Sequence, residues 1–179
     1  MNLLTHIQLM AEYNQWMNQK IYATAAALSA EQLQCDCQAF FGSVLGTLNH
    51  LMVGDIVWLK RFAAHPVKFL ALEPLRGMEQ PRSIDQMLYE DFGELRQQRE
   101  QLDQIVRDWV NDLTEGDLDL VLDYQNMRAV PARRQLGRLL CHFFNHQTHH
   151  RGQVTTLLSQ FGLDVGGTDL LNITPQVAE

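Results

Sequence analysis

Apolar residues recur at helical spacing in four long stretches of this chain. In the first, Leu3, Ile7, Met10, Asn14, Met17, Ile21, Thr24 and Leu28 step by threes and fours, which predicts a helix over residues 3–28. Asn14 stands inside that stripe where an aliphatic residue is expected. It reads most simply as a helix-contact asparagine bonded to neighbouring backbone, and alternatively as a polar group lining a pocket. Ser29-Ala-Glu-Gln32 has capping-box spacing and predicts a further short turn of helix. Phe40, Phe41 and Gly42 then break the pattern. A second helix is predicted from about Ser43 to Ala64, where Pro66 stops it. The third is expected to start at a capping box, Ser83-Ile-Asp-Gln86, and to run to about Leu113, burying Leu88, Phe92, Leu95, Leu102, Ile105, Val106 and Trp109. The polar run from Glu94 to Gln104 reads as its solvated face. The fourth spans about Gln135 to Gln160, with Leu136, Leu139, Leu140, Phe143, Val154, Leu157 and Leu158 on one side and Gly162 just past its end.

The connections carry different signals. Residues 65–82 hold three of the five prolines and no period, so a surface loop is expected. In residues 114–134, Leu118, Leu120 and Leu122 alternate with acidic residues ahead of Tyr124-Gln-Asn-Met-Arg, the pattern of a two-stranded hairpin turning near Asn126. An isolated hairpin is marginal, so it must lie on the helices or extend a partner. In the tail, Thr168 is placed to cap a last short helical turn. The expected fold is all-α: a single domain over residues 1–179, built as a four-helix bundle with a small β-hairpin between helices three and four. The long third connection and the proline-containing second one argue against a simple up-down-up-down topology.

Composition narrows the function. The chain is 46% hydrophobic and 20% charged, with a formal net charge of −7. No basic run interleaves with aromatics, which argues against nucleic acid as a partner. No apolar run reaches membrane-spanning length and the first residues lack a signal-peptide pattern, so no membrane association is expected. The three cysteines, Cys35, Cys37 and Cys141, are odd in number, and Cys35-Asp-Cys37 lacks the two-residue gap of a zinc or redox motif. Reduced thiols in a cytoplasm are the expectation.

The candidate chemistry is histidine. Four of the seven histidines, His142, His146, His149 and His150, crowd the middle of the fourth helix. At about 100° per residue, His150 lies about 40° from His146, and both fall inside the apolar stripe with Leu139, Phe143, Val154 and Leu157. His142 and His149 fall at its edge. Two imidazoles one turn apart on one face can reach a single metal ion, or can be core histidines satisfied by hydrogen bonds. On the second helix, His50 has Gly46 and Gly54 one turn to either side. Glycine weakens a helix interior, so two of them beside a histidine point to close helix packing that brings His50 towards another helix.

Tyr13-Asn-Gln-Trp16, Phe40-Phe-Gly-Ser-Val-Leu-Gly-Thr-Leu-Asn-His50 with Trp58, His146-x3-His150-Arg-Gly-Gln153 and the tail Gly162 to Asp169 occur in an order and separation that resemble the DinB/YfiT-like bundle proteins. The resemblance covers nearly the whole chain. It implies a four-helix bundle of unusual connectivity, commonly dimeric. It also implies a divalent metal held by the residues here numbered His50, His146 and His150.

Three neutral imidazoles suit zinc, nickel or ferrous iron without choosing among them. Three protein ligands leave coordination positions for water or substrate, the pattern of catalytic sites. The resembled superfamily includes thiol-dependent transferases and isomerases, so metal-dependent transfer of a low-molecular-weight thiol to an electrophilic substrate is the first expectation. Metal-dependent hydrolysis and a non-catalytic metal-binding role are the alternatives. No further acid or base is assigned to the site. His142, His149, Asn14 and Arg151 are candidates only, and Arg151, pointing about 100° from its neighbour His150, reads better as a structural ion pair. A homodimer is expected from the resemblance, from the alternating segment of Leu118, Leu120 and Leu122, which is too short to bury both faces by itself, and from Trp16, Trp58 and Trp109, which exceed what the four stripes need.

Overall fold

The computed structural model describes residues 1–176. In chain order its elements are α1 (Leu3–Ala25), α2 (Ala30–Gln34), α3 (Val44–Ala63), α4 (Glu73–Arg76), α5 (Phe92–Asp112), β1 (Val121–Gln125), β2 (Pro131–Gln135) and α6 (Leu136–Gln160). Single 3-10 turns lie at 70–72, 116–119 and 170–173. The protein is mostly helical with one small antiparallel hairpin. Of the four long helices, α1 packs along α5 and α6, and α3 packs along α6.

Local chemistry sets the helix ends. Asn2, Ser43 and Asp91 cap α1, α3 and α5, each side-chain oxygen accepting from a backbone N–H three residues on, at 2.8, 3.0 and 2.8 Å. Such caps contribute about 1 kcal/mol each. The Ser29–Gln32 capping box forms as expected. Gly162 ends α6 with φ +76°: its N–H bonds the Ser159 carbonyl and the next N–H reaches back to Leu158, the glycine C-cap arrangement. α6 has no side-chain cap. Instead Leu136 N donates to the Leu120 carbonyl at 2.8 Å, so the hairpin connection satisfies one orphan donor of the site-bearing helix.

Four boundaries differ from the sequence expectation. The third long helix begins at Phe92 rather than at Ser83. The Asn49 side chain of α3 accepts from the backbone N–H groups of Leu88 and Tyr89 at 2.8 and 2.9 Å and donates to the Tyr89 carbonyl, tying that segment to α3 instead of into a helix. Gln86, the supposed capping partner, accepts from Arg82 N. The first helix stops at Ala25, where Ala27 and Leu28 switch to i−3 bonds. The expected loop at 65–82 contains the turns at 70–76, which bury Leu72 and Leu75 completely. Thr168 caps nothing: the last turn starts at Leu170 behind Asp169, and the Thr168 carbonyl accepts from Tyr13 Oη at 2.6 Å.

The hairpin turns at Asn126, as expected, with Asn126 Oδ1 accepting from Arg128 N and Val130 N. It lies on the helices: Leu118 and Leu122 are buried and Tyr124 packs edge-on to Trp58. Trp109 is fully buried and stacks on Phe62 at 5.0 Å. These contacts account within one chain for Leu118, Leu122, Trp58 and Trp109, which at the sequence level suggested a partner.

One layer of the core is polar and charged. Asn14 and Asn18 of α1, Asp55 of α3, Arg99 and Asp103 of α5, and Gln147 and Arg151 of α6 are all 2% exposed or less. Arg99 bridges Asp55 at 2.6 Å and Asp103 at 2.9 Å. Asn14 and Asn18 donate to Asp103, Gln147 donates to Asp55, and Arg151 donates to Asn14. The polar face read for Glu94 to Gln104 is therefore solvated only in part, since Arg99 and Asp103 point inward. Asn14 bonds side chains rather than backbone. Among the described residues Arg151 forms no ion pair; it reaches Asp103 through the Asn14 amide and lies over the Tyr13 ring at 5.4 Å. Every long helix contributes to this layer, so sliding one by a residue would strand a buried charge.

Candidate metal centre

α3 and α6 position the site. Gly54 lets them meet: a Cβ on Gly54 would fall 2.7 Å from Cε1 of His146. One residue on from each contact, Asp55 and Gln147 turn into the polar layer and bond to each other, which fixes the register of the two helices beneath the histidines. Gly46 has a different purpose. A Cβ there would lie 2.1 Å from the Phe41 carbonyl, so it admits the entering loop rather than a second helix.

His50, His146 and His150 converge. The Nε2 atom of His50 lies 3.2 Å from that of His146 and 3.1 Å from that of His150. His50 Nδ1 donates to the Ile84 carbonyl at 2.7 Å, and His150 Nδ1 donates to Gln153 Oε1 at 2.7 Å. A neutral imidazole whose Nδ1 carries the proton has its lone pair on Nε2. The 3.1 Å contact between His50 and His150 is thus between atoms that both offer lone pairs, an arrangement that a cation between them reconciles. Nitrogens held about 2.1 Å from one ion stand on the order of 3.0–3.4 Å apart at octahedral or tetrahedral angles, which matches the two separations measured from His50 Nε2. The residues present therefore fit a divalent metal. The supports on His50 and His150 are those that orient metal-ligating histidines elsewhere.

Electrostatics keep the rings neutral. Burial lowers the pKa of His50 and of His150, and burial together with the neighbouring imidazoles pushes His146 down to about 3. Neutral imidazole is the ligand form. Phe41 stacks on His50 with ring centroids 3.8 Å apart and presents its edge to His150, covering one side of the cluster. The other side opens into a cavity of about 440 Å³ lined by Phe40, Phe41, Ile84, His149 and Gln153 beside the three histidines.

The remaining sequence candidates take other places. His142 lies against Trp58 at 5.2 Å, outside the cluster, and burial lowers its pKa. His149 is exposed at the cavity mouth, edge-on to His150 with ring centroids 4.8 Å apart. Asn14 and Arg151 belong to the polar layer. Sequence reasoning missed Gln153 as the partner of His150, although the i+3 spacing carried that signal. It also missed Ile84, whose contribution is a backbone carbonyl and has no side-chain signature.

Comparison with known proteins identifies the family. The model of the DinB family matches residues 1–177. Protein DinB of Bacillus subtilis (strain 168) is 30% identical over 166 residues, covering 88% of this chain and 87% of its own. In fold, the protein is similar to a DinB-like protein from Bacillus cereus ATCC 10987 known from a crystal structure, with a TM-score of 0.59 over 92% of this chain and 94% of that one, at 22% identity. A three-histidine group that could hold a metal ion, on a mostly helical frame matched along nearly its whole length, places this chain in the DinB family.

Proposed function

We propose that this protein is a DinB-type four-helix bundle that binds a divalent metal through Nε2 of His50, His146 and His150 and transfers a low-molecular-weight thiol to an electrophile. One observation carries the reading. Among the described residues, the group of potential ligands gathered here is those three histidines alone, with no carboxylate or thiolate to close the coordination sphere, and it faces an open cavity. When bound, the ion would lower the pKa of a coordinated thiol and hold it as a nucleophile.

The chain's own residues do the rest. The Ile84 carbonyl and Gln153 hold two ligand rings in the tautomer that offers Nε2. Phe41 keeps water off one face of His50. His149, at the mouth, is placed to accept the thiol proton. A reducing cytoplasm would supply such a thiol and would keep Cys35, Cys37 and Cys141 free, as they are here. A homodimer is part of this proposal on the strength of the family resemblance, and light scattering decides it against the mass of one 20.6 kDa chain.

The test begins with metal analysis of protein purified without an affinity tag. The metal-loaded protein should then accelerate attack of a cysteine-type thiol on an activated aryl chloride, and His50→Ala should remove that rate. A lower melting temperature on metal removal, with no turnover of thiol or ester substrates, would instead assign the metal a structural role.

A further inference from the structure

The cavity over the histidines has a neighbour. A second hollow of about 390 Å³ lies along α6 beyond it, lined by Ala39, Thr47, Gly152, Thr156 and Leu157, and the two share Phe40, Phe41, His149 and Gln153 as a common wall. Each volume is in the range of small-molecule sites. Among the described residues, no Lys, Arg, Asp or Glu lines either one.

Contacts among the described residues do not explain two features of this place. Phe40 is 80% exposed, yet it is not on a loose loop. Gly42 N donates to the Ala39 carbonyl at 2.9 Å, Cys37 N donates to the Gly42 carbonyl at 2.8 Å, and Gln38 N donates to Asp36 Oδ1 at 2.8 Å. The turn thus holds the ring up with its edge on Phe41. Gly152 sits in the interior of α6, where glycine weakens a helix. Its φ is ordinary for a helix, and a Cβ there would meet nothing within 4 Å. Neither packing nor backbone conformation asks for glycine at that position. A molecule lying across the helix would.

We propose that the two hollows form one bipartite binding site: a head group reaches the metal, and an uncharged, flat apolar body lies under Phe40 and across Gly152. This deepens the metal reading and rests on it. It assigns Phe40 and Gly152 as specificity-determining residues that touch the body of the ligand and not its reacting end. The apolar lining and the exposed aromatic ring select a neutral aromatic group, and among the described residues no Lys or Arg lines the second hollow to favour an anionic one.

The experiment is calorimetric titration of the cobalt-loaded protein with acetohydroxamate, which has a metal-binding head alone, and with benzohydroxamate and 4-phenylbenzohydroxamate, which add flat bodies of increasing length. The cobalt absorption spectrum is recorded in parallel. Acetohydroxamate should perturb the spectrum, and each added ring should tighten binding, by about tenfold in all. Phe40→Ser should remove most of that gain for both aromatic probes. Gly152→Leu should remove it for the longer probe only, and neither variant should change metal content or acetohydroxamate affinity. If all three probes bind equally, or the variants leave the ratios unchanged, the bipartite site is wrong while the metal reading stands. If no probe perturbs the cobalt spectrum, the open metal site fails and this proposal fails with it.

Discussion

Gly54 and His146 are in direct contact across the α3–α6 interface, with no room between them for a methyl group: a Cβ on residue 54 would lie 2.7 Å from the imidazole Cε1. A helix-interior glycine ordinarily costs about 1 kcal/mol against alanine. Gly54→Ala should forfeit that gain, because the displaced imidazole no longer aims its Nε2 at the cluster. Metal affinity should fall by at least about tenfold while far-ultraviolet helicity is kept. Competition titration against a chromophoric chelator reads the first and circular dichroism the second. Unchanged affinity would mean that His146 has another workable position.

Removing a ligand outright is the blunter measurement. His146→Ala should abolish stoichiometric metal and leave the helices folded. A ligand at about 100 times its dissociation constant stabilises the folded state by about 2.7 kcal/mol. At roughly 2–4 °C per kcal/mol for a chain of this size, metal should raise the wild-type melting temperature by about 5–10 °C and leave that of the variant where it was. Equal shifts in both proteins would place the ion elsewhere.

Gln153 orients His150 without touching the metal. Gln153→Ala should weaken metal binding by about 10–100-fold, the effect of losing the group that orients a ligating imidazole. Gln153→Glu, which keeps the acceptor, should restore most of it. A merely structural glutamine would affect melting temperature and not this difference between the two variants.

The Arg99 guanidinium holds two buried carboxylates at once. Arg99→Met should cost about 3–5 kcal/mol in urea unfolding, since Asp55 and Asp103 are left without their cation. A loss below about 1 kcal/mol would mean that water enters the layer and solvates them.

The same layer gives a pH signature. Burial, opposed by Arg99, pushes Asp103 up to about 6 from an ordinary 3.8. A folded-state value above the unfolded one contributes stability that is complete below about pH 3.8 and is lost as pH rises through about 6. His146 acts in the opposite sense, because unfolded chains take up its proton near 6.5 and the folded protein only near 3. The comparison that isolates Asp103 is wild type against Asp103→Asn, both metal-free. Between pH 4 and about 6.5, the wild type should lose stability relative to the variant as pH rises. A constant difference across that window would show Asp103 to be ionised throughout.

Most of the frame was legible because helical periodicity and capping chemistry are local. Ser43, Pro66, Gly162 and the turn at Asn126 stand where their side chains act. The start of α5 was not, because Asn49, some forty positions earlier, competes for the backbone of Leu88 and Tyr89. The histidine pair of α6 could be read from one helix face, and His50 joined it through the family resemblance. The polar layer was not readable. Arg99 and Asp103 look like any solvated pair at i and i+4, and only the three other helices reveal that they are buried. Arg151 was read as one half of an ion pair because the amide standing between it and the nearest carboxylate lies on α1.

The support of His50 by the Ile84 carbonyl has a consequence for how such a site can diversify. The hydrogen bond comes from the main chain, so it is indifferent to which side chain residue 84 carries. That side chain is 46% exposed and forms part of the cavity wall. One residue thus serves two masters that do not constrain each other: its backbone tunes the ligand, and its side chain meets whatever enters. Substitution at 84 can reshape the entrance while the imidazole stays aimed, provided the loop keeps its path. A library built at position 84 should therefore change which molecules are accepted and leave the metal where it is.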